Sequence, residues 1–78
     1  MNILQPPPLT DEGRRALRAL AWMVEQYLRD GDLLDNRCMS AGERAMKLLA
    51  DHGFIHLTHC DRCGQWTEAG QALLDERD

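Results

Sequence analysis

The sequence predicts a mainly α-helical domain that carries one small β-hairpin. Three patterns predict this fold class: an amphipathic stretch begins at Thr10, a second helical stretch runs from Ser40 to Gly53, and apolar and polar residues alternate over 54–59. Helices repeat apolar side chains about every 3.6 residues, whereas strands alternate them every two. We therefore expect a long first helix, a second helix, a hairpin and a short last helix, in that order.

Length and composition limit what this chain can be. Its 78 residues have room for one hydrophobic core, which we place in residues 10–78. Residues 1–9 contain three consecutive prolines and are expected to be extended. The sequence has neither an apolar run near the ~20 residues of a membrane span nor a secretory signal, which predicts a cytoplasmic location. The net charge of −4 counts against nucleic acid as the main ligand, because phosphate neutralisation supplies much of that affinity.

The first helix is expected to start after the N-cap residue Thr10 and to run to Arg29, before Gly31. Its apolar side chains share one broad arc: Ala16, Leu17, Leu20, Ala21, Met23, Val24, Tyr27 and Leu28. The opposite face is polar and carries Arg14, Arg15, Arg18 and Arg29. This pattern predicts that the arc packs on the core and that the arginines face solvent.

Trp22 falls in the middle of this polar face. Tryptophan and arginine are the residues most enriched at the energetic centres of protein interfaces. An alternative is that the indole packs under the N-terminal segment or stacks on arginine side chains. The first interpretation predicts a partner-binding surface that consists of Trp22, Arg15, Arg18 and Arg29.

The second helix follows a short mixed segment, residues 32–39, in which Leu33 and Leu34 are expected to form one helical turn. Ser40 and Glu43 fit a capping box, and Gly53 fits a C-terminal cap. The inner face of this helix is expected to consist of Ala41, Ala45, Leu48 and Leu49.

The remaining residues predict a hairpin and a last helix. The strand at 54–59 can pair antiparallel with Gln65 and Trp66, which places Trp66 in the core. Thr67 then caps the last helix, whose inward residues are expected to be Ala69, Ala72 and Leu73. Thr10-x-x-Gly13 and Thr67-x-x-Gly70 share a capping pattern and do not mark a structural repeat.

Two stretches resemble a known family. SAGERAMKLLADHGFI resembles the recognition helix and first wing strand of MarR- and PadR-type winged helix-turn-helix regulators, and WTEAGQALLD resembles the segment that leaves their wing. The resemblance covers residues 40–76 and implies a winged-helix-like fold, in which the helix at 40–52 enters the DNA major groove and the hairpin at 55–66 touches the minor groove. DNA contacts would then come from Arg44, Lys47 and Arg62, with the first helix forming a homodimer.

The sequence departs from this family in two respects. The helix that normally precedes the recognition helix is compressed into residues 32–38. The outer face of the second helix also carries Glu43 and Asp51 beside Arg44 and Lys47, whereas a face that reads a groove usually has a basic surplus. Winged domains also serve as protein-binding modules, so the fold alone does not choose between these uses.

The stretch IHLTHCDRCGQW contains a Cys60-x-x-Cys63-Gly sequence, which is typical of a zinc knuckle. Structural zinc needs four ligands, and the candidates for the other two are Cys38 with His52, His56 or His59. Cys38 and His52 are favoured because they flank the second helix. Two reduced thiols in a hairpin turn are the leading interpretation, and a zinc site is the alternative. A redox pair would need a low-pKa thiol at a helix N-terminus, which a hairpin does not provide.

No catalytic arrangement is evident in the sequence. It has no carboxylate pair in an apolar setting and no glycine-rich phosphate loop, and its one serine, Ser40, is assigned to a cap. We therefore expect a non-enzymatic regulatory or inhibitory module, of a phage or bacterial accessory type, that binds another protein. The alternative is a winged-helix DNA-binding transcriptional regulator.

Overall fold

A computed structural model describes residues 9–29, 31–58 and 62–76. Its helices are α1 (Asp11–Val24), α2 (Ser40–Asp51) and α3 (Glu68–Asp75), and its strands are β1 (Leu28–Arg29), β2 (Leu33–Asp35), β3 (Ile55–Leu57) and β4 (Cys63–Trp66). The predicted combination of helices with antiparallel strands is confirmed. The described sheet has four strands, two more than the hairpin alone supplies. The predicted extended segment lies outside the described residues, except for Leu9.

The sheet has the strand order β1-β2-β4-β3, and all three pairings are antiparallel. The predicted hairpin is confirmed: Ile55 lies opposite Trp66, and Leu57 lies opposite Gly64. Strand β4 is central because Gly64 also lies opposite Leu34 of β2. A Cβ at Gly64 would come within 2.9 Å of the His56 carbonyl oxygen, so glycine allows this close strand packing.

The prediction that the first helix continues to Arg29 is wrong. Helix α1 ends at Val24, a 3-10 turn follows over Glu25–Tyr27, and the chain is extended from Leu28 onward. Pairing of Leu28 and Arg29 with β2 stabilises the extended backbone, and this contact overrides the local helical pattern.

The interpretation of residues 32–39 also needs correction. Leu33 and Leu34 belong to strand β2 and not to a helical turn, and Leu34 is fully buried. The capping box is wrong as well, because α2 starts at Ser40 and its N-cap residue, Met39, makes no side-chain capping bond. The predicted end of this helix is confirmed: His52 is the C-cap and Gly53 has a positive φ of 82°.

The core lies where α1 packs against α2 and α3, and where α2 covers β3. Predicted core residues that are buried are Leu17, Ala21, Val24, Ala45, Leu49 and Leu73, and Trp66 packs against this cluster. Predicted inward residues that are exposed are Ala16, Met23, Leu28, Ala41, Leu48, Ala69 and Ala72. The buried arc of each helix is thus narrower than its apolar arc. The alanines lose little by exposure, because their side chains have little apolar area to bury.

The segment that enters α3 follows the predicted capping pattern. Thr67 accepts a hydrogen bond from the Gly70 amide at 3.1 Å, and its hydroxyl donates to the Gly53 carbonyl at 2.7 Å. A Cβ at Gly70 would lie 2.0 Å from the Phe54 carbonyl oxygen. Glycine at this position therefore lets α3 pack directly on the start of the hairpin.

Candidate functional site

Trp22 lies on α1 with 46% of its surface exposed. Its indole Nε1 donates a hydrogen bond to the Leu74 carbonyl oxygen at 3.1 Å. The guanidinium carbon of Arg18 lies 5.2 Å from the ring centroid, which is within the range of a cation–π contact. The indole is therefore held at two points while one face stays accessible to solvent.

Arg18 is buried, although its position in the polar arc predicts exposure: only 5% of its surface is accessible. Its Nη1 lies 3.4 Å from Oε1 of Glu76, just beyond the end of α3. Arg14 donates from Nε to the other Glu76 oxygen at 2.8 Å. The hydrogen bond from Arg14 is the main cause that lowers the pKa of Glu76, and it raises the pKa of Arg14 in turn. One carboxylate thus joins α3 to two arginines of α1.

Exposed side chains lie beside Trp22 on the outer side of α1. We call this surface the Trp22 face; it consists of Arg15, Ala16, Ala19, Trp22 and Met23. At 100° per residue these positions span an arc of about 120°. Trp22 and Ala16 lie at the two edges of this arc, and Arg15 lies about 20° from Trp22. No charged side chain is exposed between Ala16 and Val24. The centre of the surface is therefore the small apolar side chain of Ala19, with the indole on one side and the Met23 side chain on the other.

Arg29 does not join this surface. It lies on β1, beyond the end of α1, and it is close enough to Asp35 to contribute to the lowered pKa of that carboxyl group. The four predicted partner-binding residues are thus distributed differently from the expected single face. Trp22 and Arg15 are exposed on α1, Arg18 is buried behind the indole, and Arg29 lies near β2.

A cavity of about 340 Å³ lies beside Arg29. It is lined by Gln26, Tyr27, Leu28, Arg29, Asp35, Arg37 and Met39. Sequence reasoning missed it, because its walls come from two segments that only the pairing of β1 with β2 brings together. The nearest sequence signal was the mixed composition of residues 32–39, which does not specify a cavity.

The three predicted DNA contacts are exposed but not equivalent. Arg44 and Lys47 lie on the outer side of α2. Arg62 instead makes a two-point contact with Asp35, from Nε to Oδ1 at 2.7 Å and from Nη2 to Oδ2 at 3.1 Å. The hydrogen bond from Arg62 is the largest cause that lowers the pKa of Asp35, to about 2. One of the three cations is thus paired within the protein.

The predicted zinc ligands are described only in part. Cys60 lies outside the described residues, as does His59. Cys38 is exposed and Cys63 is half-buried at the start of β4. His52 lies 6.5 Å from Phe54 in a stacked arrangement. Within the described residues, no three His, Cys, Asp or Glu side chains form a group that could hold a metal ion.

Comparison of the chain with protein-family models, with curated proteins and with solved structures found no match. Over the described part of the chain, no helix combines the length and apolar character that crossing a bilayer requires.

Proposed function

We propose that this protein is a small non-catalytic regulatory or inhibitory module that binds another protein through the Trp22 face. The observation that carries the proposal is the indole of Trp22, which is nearly half exposed yet fixed by Leu74 and Arg18. The fold leaves 46% of this large aromatic side chain in contact with water. Buried against a partner, it would contribute the kind of contact that dominates protein interfaces.

The immobilised indole favours binding for a second reason. Ordering a side chain on association costs about 0.5–1.5 kcal/mol for flexible residues. The hydrogen bond to Leu74 and the contact with Arg18 have already ordered the Trp22 side chain in the free protein. Arg18 is thus a positioning residue, which supports the indole from below and makes no contact with the partner.

The composition of the surrounding surface supports a protein partner. Ala16 and Ala19 are small and both lie on the same side of the indole, so a partner can approach the helix closely on that side. Arg15 supplies a polar edge, and Met23, 39% exposed, supplies an adaptable apolar contact. An apolar centre with a polar rim is the usual anatomy of such interfaces.

Affinity purification from the native host tests this proposal with three matched baits: the wild-type protein, Trp22→Ala and Lys47→Ala. Lys47 is exposed on α2 and does not belong to the Trp22 face. We expect a captured protein that is retained by Lys47→Ala and lost with Trp22→Ala, while both variants keep a cooperative urea transition. Identical captured proteins for all three baits would contradict the assignment.

A DNA-binding regulator of winged-helix type is the second candidate. The observation in its favour is the order of elements after Ser40: α2 leads through Gly53 into the β3–β4 hairpin, and Thr67 and Gly70 open α3. This order agrees with the resemblance to MarR- and PadR-type proteins. The distribution of charge favours DNA binding less, because Asp35 pairs with Arg62, and α2 carries Glu43 and Asp51 as well as its two cations.

A further inference from the structure

The cavity between β1 and the loop that joins β2 to α2 has the size of a ligand site. Its volume of about 340 Å³ is within the range of ~300–1,000 Å³ typical of small-molecule pockets. It shares no residue with the Trp22 face, although Gln26 of its lining donates a side-chain hydrogen bond to the Met23 carbonyl oxygen. The residues of the two sites can therefore be changed independently.

Two arginines give the lining of this cavity a positive charge. Arg29 and Arg37 are both exposed, and within the described ranges neither forms an ion pair at 4 Å or less. Asp35 is the acidic residue of the lining, but its carboxylate accepts two hydrogen bonds from Arg62 and one from the Arg37 amide. The Asp35–Arg62 pair is neutral as a whole, so two guanidinium charges remain in a chain whose net charge is −4.

The same lining offers apolar surface beside the charges. Leu28 is 41% exposed and Met39 is 50% exposed, and both contribute to the walls together with Tyr27. A methionine side chain adapts its shape to different apolar ligands. Charge and apolar surface within one cavity favour a ligand that has an anionic end and an apolar body.

The loop that presents Arg37 is held in an unfavourable backbone conformation. Arg37 and Cys38 have positive φ angles of 56° and 61°, a region that residues other than glycine rarely occupy. Side-chain oxygens of Asp35 and Asn36 accept hydrogen bonds from the Arg37 and Cys38 amides, each at 2.9 Å. Asn36 is itself fully buried, and its backbone N–H donates a hydrogen bond to the Arg62 carbonyl oxygen. Strained residues held by their surroundings in this way are concentrated at binding sites.

We propose that this cavity binds a small organic acid, whose carboxylate contacts Arg29 and Arg37 and whose apolar body lies against Leu28 and Met39. Guanidinium groups match the planar geometry of a carboxylate and can bind it at two points. This ligand class follows from the two arginines at one end of the cavity and from the exposed apolar side chains beside them.

The test uses butyrate, hexanoate and 4-phenylbutyrate, each compared with its neutral primary amide, in titrations followed by ¹⁵N–¹H correlation spectra of the full chain. We expect at least one acid to shift the amide signals of Leu28, Arg37 and Met39 with an affinity about tenfold above that of its own amide. In the Arg29→Gln/Arg37→Gln double variant the affinity for that acid should fall to the affinity for its amide, because the variant removes the charges and leaves the apolar walls. Lys47→Gln changes a charge elsewhere and should leave the affinity unaltered.

Three results would overturn the inference. The first is the absence of shifts with any of the acids up to about 10 mM, which corresponds to very weak binding. The second is equal affinity for each acid and its amide, and the third is a loss of affinity in Lys47→Gln as large as in the arginine variant. Trp22→Ala should bind the acid as the wild type does. A failure of partner capture through Trp22 and a failure of this site are therefore distinguishable.

Discussion

The guanidinium group of Arg18 lies between the indole of Trp22, 5.2 Å from the ring centroid, and Oε1 of Glu76, 3.4 Å away. Burial of a charged side chain is costly unless the charge is paired, and Glu76 provides that pairing at the C-terminal end of α3. The buried cation can then support the ring from below. Through this contact, residues that are 58 positions apart in the chain determine how Trp22 is presented to solvent.

Replacing Trp22 by Phe should separate the hydrogen bond of the indole from its ring contact. Phe keeps an aromatic face over Arg18 but cannot donate to the Leu74 carbonyl. We expect the free energy of unfolding to fall by about 0.5–1.5 kcal/mol, the usual net contribution of one hydrogen bond. Urea denaturation at neutral pH measures this difference, and a variant as stable as the wild type would show that the Leu74 contact contributes nothing.

The two Thr-x-x-Gly sequences provide a matched pair of glycine substitutions. In Gly70→Ala the new Cβ would meet the Phe54 carbonyl oxygen at 2.0 Å, so α3 must move away from the hairpin. We expect a loss of about 1–3 kcal/mol or more, as for other overpacked sites. In Gly13→Ala the atom nearest to the new Cβ is the Thr10 hydroxyl oxygen at 3.2 Å. Alanine also favours the helical conformation by about 1 kcal/mol relative to glycine.

Thermal and urea unfolding of both alanine variants measure the contrast. Gly13→Ala should be about as stable as the wild type or slightly more stable, whereas Gly70→Ala should be clearly destabilised. Similar stabilities for the two variants would contradict the close packing of α3 on Phe54.

The elements that sequence reasoning predicted well are those that local contacts determine. Thr67 caps α3 through an amide three residues away, and Gly53 ends α2 by adopting a positive φ. Leu28 could not be placed in the same way, because its extended conformation depends on pairing with Leu34 across a turn. A two-residue strand leaves almost no periodic signal in a sequence.

In the candidate site, too, the sequence predicts the features that depend on local pattern and not those that depend on tertiary contacts. Trp22 stands out from the sequence because an aromatic residue among arginines breaks the helical pattern. The burial of Arg18 could not be predicted, because it depends on Glu76 and on the angle at which α3 meets α1. The cavity beside Arg29 likewise exists only once β1 and β2 have paired.

DNA binding by α2, the second candidate function, predicts a specific dependence on salt. Each phosphate contact contributes a slope of about −0.9 to the plot of log affinity against log salt concentration. If Arg44 and Lys47 contact phosphates, the Arg44→Gln/Lys47→Gln variant should lose about two units of slope. Arg29→Gln/Arg37→Gln, which also removes two positive charges, should keep the wild-type slope. Absence of any salt-sensitive shift of duplex DNA at about 1 µM protein would exclude this function.

The contact between Asp35 and Arg62 should make the protein less stable in acid. The hydrogen bond from Arg62 is the largest cause that lowers the pKa of Asp35 in the folded protein, from the ordinary 3.8 to about 2. A carboxyl group with a lowered pKa stabilises the folded state fully above its ordinary pKa, and this contribution is lost as the pH falls towards the folded value. We therefore expect the urea midpoint of the wild type to decrease between pH 4 and pH 2.

Asp35→Asn is the matched control for this acid dependence. Asn keeps an oxygen that can accept from the Arg37 amide but does not titrate, so the decrease between pH 4 and pH 2 should be smaller than in the wild type. Some decrease should remain, because the pKa of Glu76 is also lowered by its hydrogen bond from Arg14. A urea midpoint that changes with pH equally in Asp35→Asn and the wild type would contradict the role of this ion pair. If the pH dependence of the midpoint is weaker in Asp35→Asn/Glu76→Gln than in Asp35→Asn, the dependence that remains in Asp35→Asn is due to Glu76.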